Sequence, residues 1–324
     1  PIDKLIAYSV LLLVAALGVR LLYGFYCGRN FQECKYKFKY DRQLFNEMLG
    51  FAGWNFFGNA TSILNSQGVN LLINIFFGVI ANSARGIASQ VDAAVNQFVV
   101  TFSTAVNPQI IKSYAQNDKN RMFYLVCKGA KFSFLLLLFF AIPIMIESDK
   151  ILELWLKNVP EGAPLFVRLS LIGAMIATIG NTGYTACMAT GKIKAYSIWI
   201  TLVGSLVFFL TWIAYTKGGA VDTTYYIYIF VYIIVQFVRL VIMKQLLQFP
   251  ILLFVKQVIL PTILVTIVSI ILPLWITTII QPSLIRVLII FVTATVWTTL
   301  CSLYLGLTKT ERITIKNKIK KKLK

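Results

Sequence analysis

Long apolar runs recur along this chain, separated by short stretches that carry most of its charge. Runs of about 18 or more mostly apolar residues are the signature of membrane-spanning helices. The pattern predicts spans at 5–26, 45–77, 84–113, 121–146, 163–190, 193–216, 223–247, 253–280 and 284–306. The span over 45–77 is long for one helix and is interrupted by Gly and Asn. No region shows the short alternating segments of a transmembrane β-barrel. The expected fold is all-α, a polytopic membrane helix bundle.

The connections alternate in charge. One set holds Arg29, Lys35, Lys37, Lys39 and Arg42, then Lys112, Lys119 and Arg121, then Lys192 and Lys194, then Lys244 and Lys256, and finally the tail "TKTERITIKNKIKKKLK". The other set, "GVIANS", "ESDKILELWLKNVPEGAP", "KGGAVD" and "TTIIQPS", is poor in Lys and Arg. Basic connections mark the cytoplasmic side, so the C-terminus is expected in the cytoplasm. The outer stretch 147–162 reads as a short interfacial segment, with Trp155 suited to a membrane boundary. The polybasic tail is an ordinary positive-inside signal or an amphipathic helix on anionic lipid.

One span is unusual. The stretch "ARGIASQVDAAVNQF" at 84–98 carries Arg85, Gln90, Asp92, Asn96 and Gln97 amid apolar neighbours. At about 100° per residue, Arg85, Ser89, Asp92, Asn96, Ser103 and Asn107 fall within about 60° of one another. Gln90, Gln97, Thr101 and Thr104 form a second polar band beside them, and Val91, Val95, Phe98, Val99 and Phe102 lie on the apolar side. The preceding span repeats the theme with Asn55, Asn59, Ser62, Ser66, Asn70 and Asn74. Single Asn and Ser residues are common as helix–helix glue. A charge at mid-membrane costs more, about 2.5–3.5 kcal/mol. Two striped neighbours therefore point to a shared hydrated interior. Arg85, Asp92, Asn96, Gln97, Asn59, Asn70 and Asn74 are its candidate lining. The competing reading is a structural ion pair between Arg85 and Asp92.

Arg20, Lys128, Lys131, Arg168, Arg239 and Arg286 also fall at membrane depth. Snorkelling accounts for Arg20, Lys128, Lys131 and Arg239. If several of these charges turn inward, the interior is net positive and its ligand anionic. Pro108, Pro143, Pro261 and Pro273 predict bends.

Composition narrows the chemistry. The 324 residues are 58% hydrophobic, with a mean hydropathy of +0.76, against about 45–50% apolar in soluble domains. The net charge of +19 sits in the connections and tail, which positive-inside topology explains, and no basic soluble domain offers a nucleic-acid surface. The absence of histidine removes imidazole catalysis and most zinc chemistry. The five cysteines lack ligand spacing and read as free thiols. "CMATGKIK" fails as a phosphate loop, with Ala186 where the first Gly is required and Ile193 after the Lys. No cofactor, metal site or catalytic constellation is expected, and the chain does not read as an enzyme.

Three stretches carry a family resemblance: "FAGWNFFGNATSILNSQGVNLLINIFFG", "NSARGIASQVDAAVNQFVVTFSTAVNPQIIKSYAQND" and "MATGKIKAY". They resemble the polysaccharide-transporter flippases of the MOP (MATE-like) superfamily, above all the exporters of lipopolysaccharide (O-antigen) and capsule repeat units. The likeness is strongest over 44–195 and becomes general hydropathy after about residue 220. It implies a bundle with 1–26 as the last helix of a first lobe whose earlier helices are missing. Residues 27–43 would then be a cytoplasmic inter-lobe linker, 44–247 a MATE-like second six-helix lobe, 253–306 two additional helices and 307–324 a cytoplasmic polybasic tail. It further implies a bacterial inner-membrane protein that flips undecaprenyl-diphosphate-linked oligosaccharide from the cytoplasmic to the periplasmic leaflet by rocking of the lobes. Its partners would be the lipid-linked oligosaccharide and membrane lipids. The glycan would use the polar stripes, the diphosphate Arg85, and Asp92 is a candidate for coupling. A multidrug or cation antiporter of the same superfamily is the first alternative, disfavoured by the mostly basic membrane charges. A glycan polymerase or glycosyltransferase is the second, disfavoured by the short outer loops. A purely structural membrane subunit is the third.

Overall fold

The computed structural model describes residues 4–34, 40–308 and 311–313. All regular structure in them is helical. Contacts divide the chain into two units, Pro1–Gly50 and Phe51–Lys324. The first contains α1 (Lys4–Asn30), a lone apolar helix whose surface is almost wholly exposed, Arg20 included. The start of α2 (Arg42–Ile63) also belongs to it.

The second unit is the bundle. After α2 the helix widens into a π-turn at Leu64–Gly68 and continues as α3 (Val69–Ala115). The two spans expected over 45–77 and 84–113 are thus one helical stretch, Asn59–Ala115, of 57 residues. It is folded rather than straight. Gly78 has φ 80° and ψ −175°, outside helical geometry and in a region that favours glycine. Beyond it Arg85 bonds back to Asn70 and Asn65, 15 and 20 residues earlier. Along a straight helix those separations would be about 22 and 30 Å. A single glycine does the work expected of the loop "GVIANS".

The remaining elements are α4 (Lys119–Ile146), α5 (Ser148–Trp155), α6 (Ala163–Thr178), α7 (Asn181–Ala189), α8 (Lys194–Thr216), α9 (Thr223–Leu247), α10 (Ile251–Phe254), α11 (Leu260–Ile279) and α12 (Leu284–Cys301). The short α5, which leaves Trp155 exposed, falls where an interfacial segment was expected. Further π-turns follow α10 and α12. Helices α3, α4 and α11 run on through Pro108, Pro143 and Pro273, and Pro261 sits in the first turn of α11. Eight helices among the described residues are long and apolar enough to cross a membrane, which makes this a multi-pass membrane protein.

Helix α4 is the most buried span and anchors the core. Leu137, Leu138 and Ile142 pack with Ala84, Ala88, Val95 and Val99 of α3 and with Phe166 and Leu171 of α6. Val265, Ala294 and Cys301 join the same cluster, so α11 and α12 share the core. A separate cluster joins Val69, Leu72 and Ile73 to Val207 of α8 and to Val231 and Val235 of α9. Between these two clusters lies the polar interior described next.

Candidate functional site

A cavity of about 330 Å³ opens between α2, α3, α6, α8 and α9. That is well above the roughly 10–15 Å³ that a single water needs, so the space is roomy enough to be hydrated. Arg85, Ser89 and Asp92 of α3 line it, three positions on one helical face, as the stripe requires. Ser62, Asn65 and Ser66 face them from α2 and its π-turn, and Tyr225, Tyr228 and Tyr232 from α9.

Each charge is held in place without being neutralised. Arg85 Nε donates to Asn70 Oδ1 at 2.6 Å, and Nη2 to the Asn65 carbonyl at 3.3 Å. The guanidinium also lies 5.9 Å from the Tyr225 ring centroid. Nη1 has no hydrogen-bond partner among the described residues. Asp92 accepts from Asn96 Nδ2 at 2.9 Å. Arg85 and Asp92 form no ion pair with each other, so the structural-pair reading is not what the fold adopts. Buried polar groups are normally partnered, yet Asn65 Oδ1 and the Tyr225 hydroxyl, buried within residues that line this cavity, have no hydrogen bond. Asn65 itself is fixed by donating Nδ2 to the Gly204 carbonyl of α8 at 3.0 Å. The cavity is therefore lined by a cation, an anion, serine residues and three tyrosines.

The structure brings together Arg85 and Asp92, with Asn70 and Asn96 as the residues that position them. It does not bring Asn59, Asn74 or Gln97 to the cavity; all three are exposed. The stripe outruns the cavity: Ser62 before the π-turn lines it and Asn70 after the π-turn holds Arg85, while Asn59 and Asn74 lie towards the stripe's ends. Gln97 lies in the second polar band, where its carbonyl accepts from Thr101 Oγ1 at 2.9 Å and Thr104 Oγ1 bonds the Thr101 carbonyl. The hydroxyls there are satisfied by their own helix. The Asn55 side chain lies outside the described residues.

The other membrane-depth charges do not make this interior positive. Arg286 pairs with the buried Glu147, Nη2 to Oε2 at 3.1 Å and Nε to Oε1 at 2.8 Å, the latter too oblique to be a hydrogen bond. Arg168 binds Asp149, Ser148 Oγ and the Met145 carbonyl. Lys131 does not snorkel; it is buried and pairs with Glu311 at 2.7 Å, with Lys128 at 4.0 Å. Among the described residues Arg85 is the cation and Asp92 the anion lining this cavity, and the two are not paired. The α9 tyrosines escaped the sequence reading, although Tyr225, Tyr228 and Tyr232 follow helical i, i+3, i+7 spacing.

Among the described residues no cluster of metal-ligating side chains exists, and all five cysteines are free. Family models, curated proteins and solved structures give no significant match to this chain.

Proposed function

We propose that this protein is a transporter that flips a lipid-linked oligosaccharide, the undecaprenyl-diphosphate-linked repeat unit of a surface polysaccharide, from the cytoplasmic to the periplasmic leaflet of a bacterial inner membrane by alternating access. The resemblance of 44–195 to repeat-unit flippases gives the substrate class. The observation that carries the reading is the polar cavity at membrane depth with an unneutralised Arg85. A sugar needs hydroxyl partners, and Ser62, Ser66, Ser89 and Asp92 in the lining are of the types that supply donors and acceptors. The tyrosine rings supply apolar faces for the carbon side of a pyranose. A diphosphate needs a cation, and Arg85 has donor capacity to spare. Arg85 and the hydroxyls act by binding, so no bond need be made or broken.

Asp92 favours a second reading, a cation or drug antiporter, because an acid beside tyrosine rings suits a cationic ligand. Chromosomal Arg85→Ala and Asp92→Asn variants separate the two. Under the flippase reading Arg85→Ala lowers export by about 10–100-fold, the value of a charge-assisted hydrogen bond of about 1.5–3 kcal/mol. Lipid-linked intermediates then accumulate on the cytoplasmic side while the amount of protein in the membrane holds. Normal surface glycan in Arg85→Ala, together with loss of resistance to a cationic drug in Asp92→Asn, would replace this reading with the second.

A further inference from the structure

A second recess, of about 490 Å³, lies between α4, α6, α7, α9 and α11 and is almost wholly apolar. Its rim carries Phe237, Ile263 and Ile267, all more than half or about half exposed, so it opens sideways on the outer face of the bundle. In a membrane protein that face is lipid, and the occupant comes from the surrounding leaflet. The floor is Gly180 and Gly183, where the chain breaks between α6 and α7, together with Arg239 of α9.

Arg239 is built into this floor. Gln236 Nε2 donates to the carbonyls of Ile176 and Ala177, at 2.9 and 3.3 Å, at the C-terminal end of α6, where the Ala177 carbonyl also accepts from the Gly180 amide. Its Oε1 accepts from Arg239 Nη1 at 3.2 Å. The guanidinium lies on Gly180, where any Cβ would collide with it. Arg239 has no acidic partner among the described residues, and its buried Nε makes no hydrogen bond. Arg168, Arg286, Lys128 and Lys131 all have carboxylates nearby. Arg239 is thus a membrane-depth cation without an anion, at the base of an apolar groove, about 12 Å from the end of α9. That end of the bundle also carries Lys192, Lys194, Lys244 and Lys256.

We infer that this groove binds one anionic glycerophospholipid, with an acyl chain along the apolar walls and the phosphate drawn towards Arg239. Charge selects the headgroup: a zwitterionic lipid would bring an ammonium towards a basic end, whereas a net-negative one brings none. A structural role for Arg239, facing the C-terminal dipole of α6, would by contrast be indifferent to lipid.

The test uses the purified protein in nanodiscs of phosphatidylcholine, with or without phosphatidylglycerol, read by thermal unfolding and by lipid retained in native mass spectrometry. The net charge of +19 attracts anionic lipid generally, so the signal is what Arg239→Gln removes and the surface control Lys192→Gln does not. Wild type gains Tm with phosphatidylglycerol and retains one molecule; Arg239→Gln loses both gains and Arg239→Lys recovers part. Ile267→Trp, which fills the rim and leaves Arg239 in place, loses retention too and keeps the test open if Arg239→Gln misfolds. Equal Tm and equal retention in wild type and both variants would overturn the inference. So would retention of added polyprenyl phosphate with none of phosphatidylglycerol. The first outcome leaves the Arg85 cavity and the flippase reading untouched, and the second would assign the groove to the carrier lipid instead.

Discussion

The contact between α4 and the segment after α12 offers the sharpest energetic test. Lys131 and Glu311 meet at 2.7 Å with side chains only 3% and 7% exposed. Glu311 Oε2 also accepts from the Thr308 amide at 2.9 Å, and Thr308 and Glu311 together form a capping box. Glu311→Gln keeps the shape but leaves Lys131 buried without a counter-ion. Breaking a buried pair from one side costs about 3–5 kcal/mol; Lys128, 4.0 Å from Glu311, is a second cation and offers Lys131 no compensation. The expected effect is a rise of roughly a hundred- to several-thousand-fold in the opening of this segment. Hydrogen exchange of the amides over 303–308 reads that opening directly. The double variant Lys131→Met/Glu311→Gln removes both charges and restores most of the protection. Burial alone would push the Glu311 carboxyl up; the hydrogen bonds from Lys131 and Thr308 outweigh it and hold the carboxyl below its usual range. Because the folded value lies below the unfolded one, the contribution is complete above the ordinary glutamate value of about 4.3 and is lost as pH falls below it. Exchange at Glu311→Gln indistinguishable from wild type, or a double variant opening as fast as the worse single one, would refute the reasoning.

Glu147→Gln leaves Arg286 without its carboxylate and is expected to lower the thermal midpoint by the equivalent of about 3–5 kcal/mol, with Glu147→Gln/Arg286→Met recovering much of it; differential scanning in detergent checks both. Gly173→Ala places a Cβ 2.8 Å from the Tyr228 ring. The ring must shift in the cavity, at a cost of about 1–3 kcal/mol, and export should fall more than protein level, measured by surface glycan against immunoblot. Asn65→Ala removes the bond to Gly204 and one support of the π-turn, costing about 1–3 kcal/mol, read as a lower melting midpoint.

The membrane class, most of the spans and the shared face of Arg85 and Asp92 were legible because each rests on local periodicity, whereas the spans expected at 45–77 and 84–113 form one helical stretch. Arg85 and Asp92 are seven residues apart on one helix, and a helical wheel places them together. The wheel failed at Asn59 and Asn74 because the stripe is longer than the cavity: Ser62, Asn65 and Ser66 line it and Asn70 holds Arg85, while the two ends of the stripe are exposed. It failed at Gln97 because polar residues whose hydroxyl neighbours bond their own helix give the same signal as cavity lining. The partners of Arg286 and Lys131 lie 139 and 180 residues away in sequence, and no local pattern reports such pairings. The Thr308–Glu311 spacing of a capping box stands in what looked like a plain basic tail. The hairpin at Gly78 was hidden differently: six residues suited to a loop are helical except for one glycine.

The central claim is that Ser89 and Asp92 face a water-filled space inside the bundle. Ser89→Cys, in a background with Cys27 and Cys34 replaced by serine, can be treated with a membrane-impermeant thiol reagent in intact vesicles, with Phe230→Cys on the outer face of α9 as the comparison (Phe230 is 61% exposed and lines no part of the cavity). Labelling of Ser89→Cys but not of Phe230→Cys is the expected result. An inert Ser89→Cys beside a reactive Phe230→Cys would mean that the stripe is dry and that Arg85 and Asp92 belong to packing.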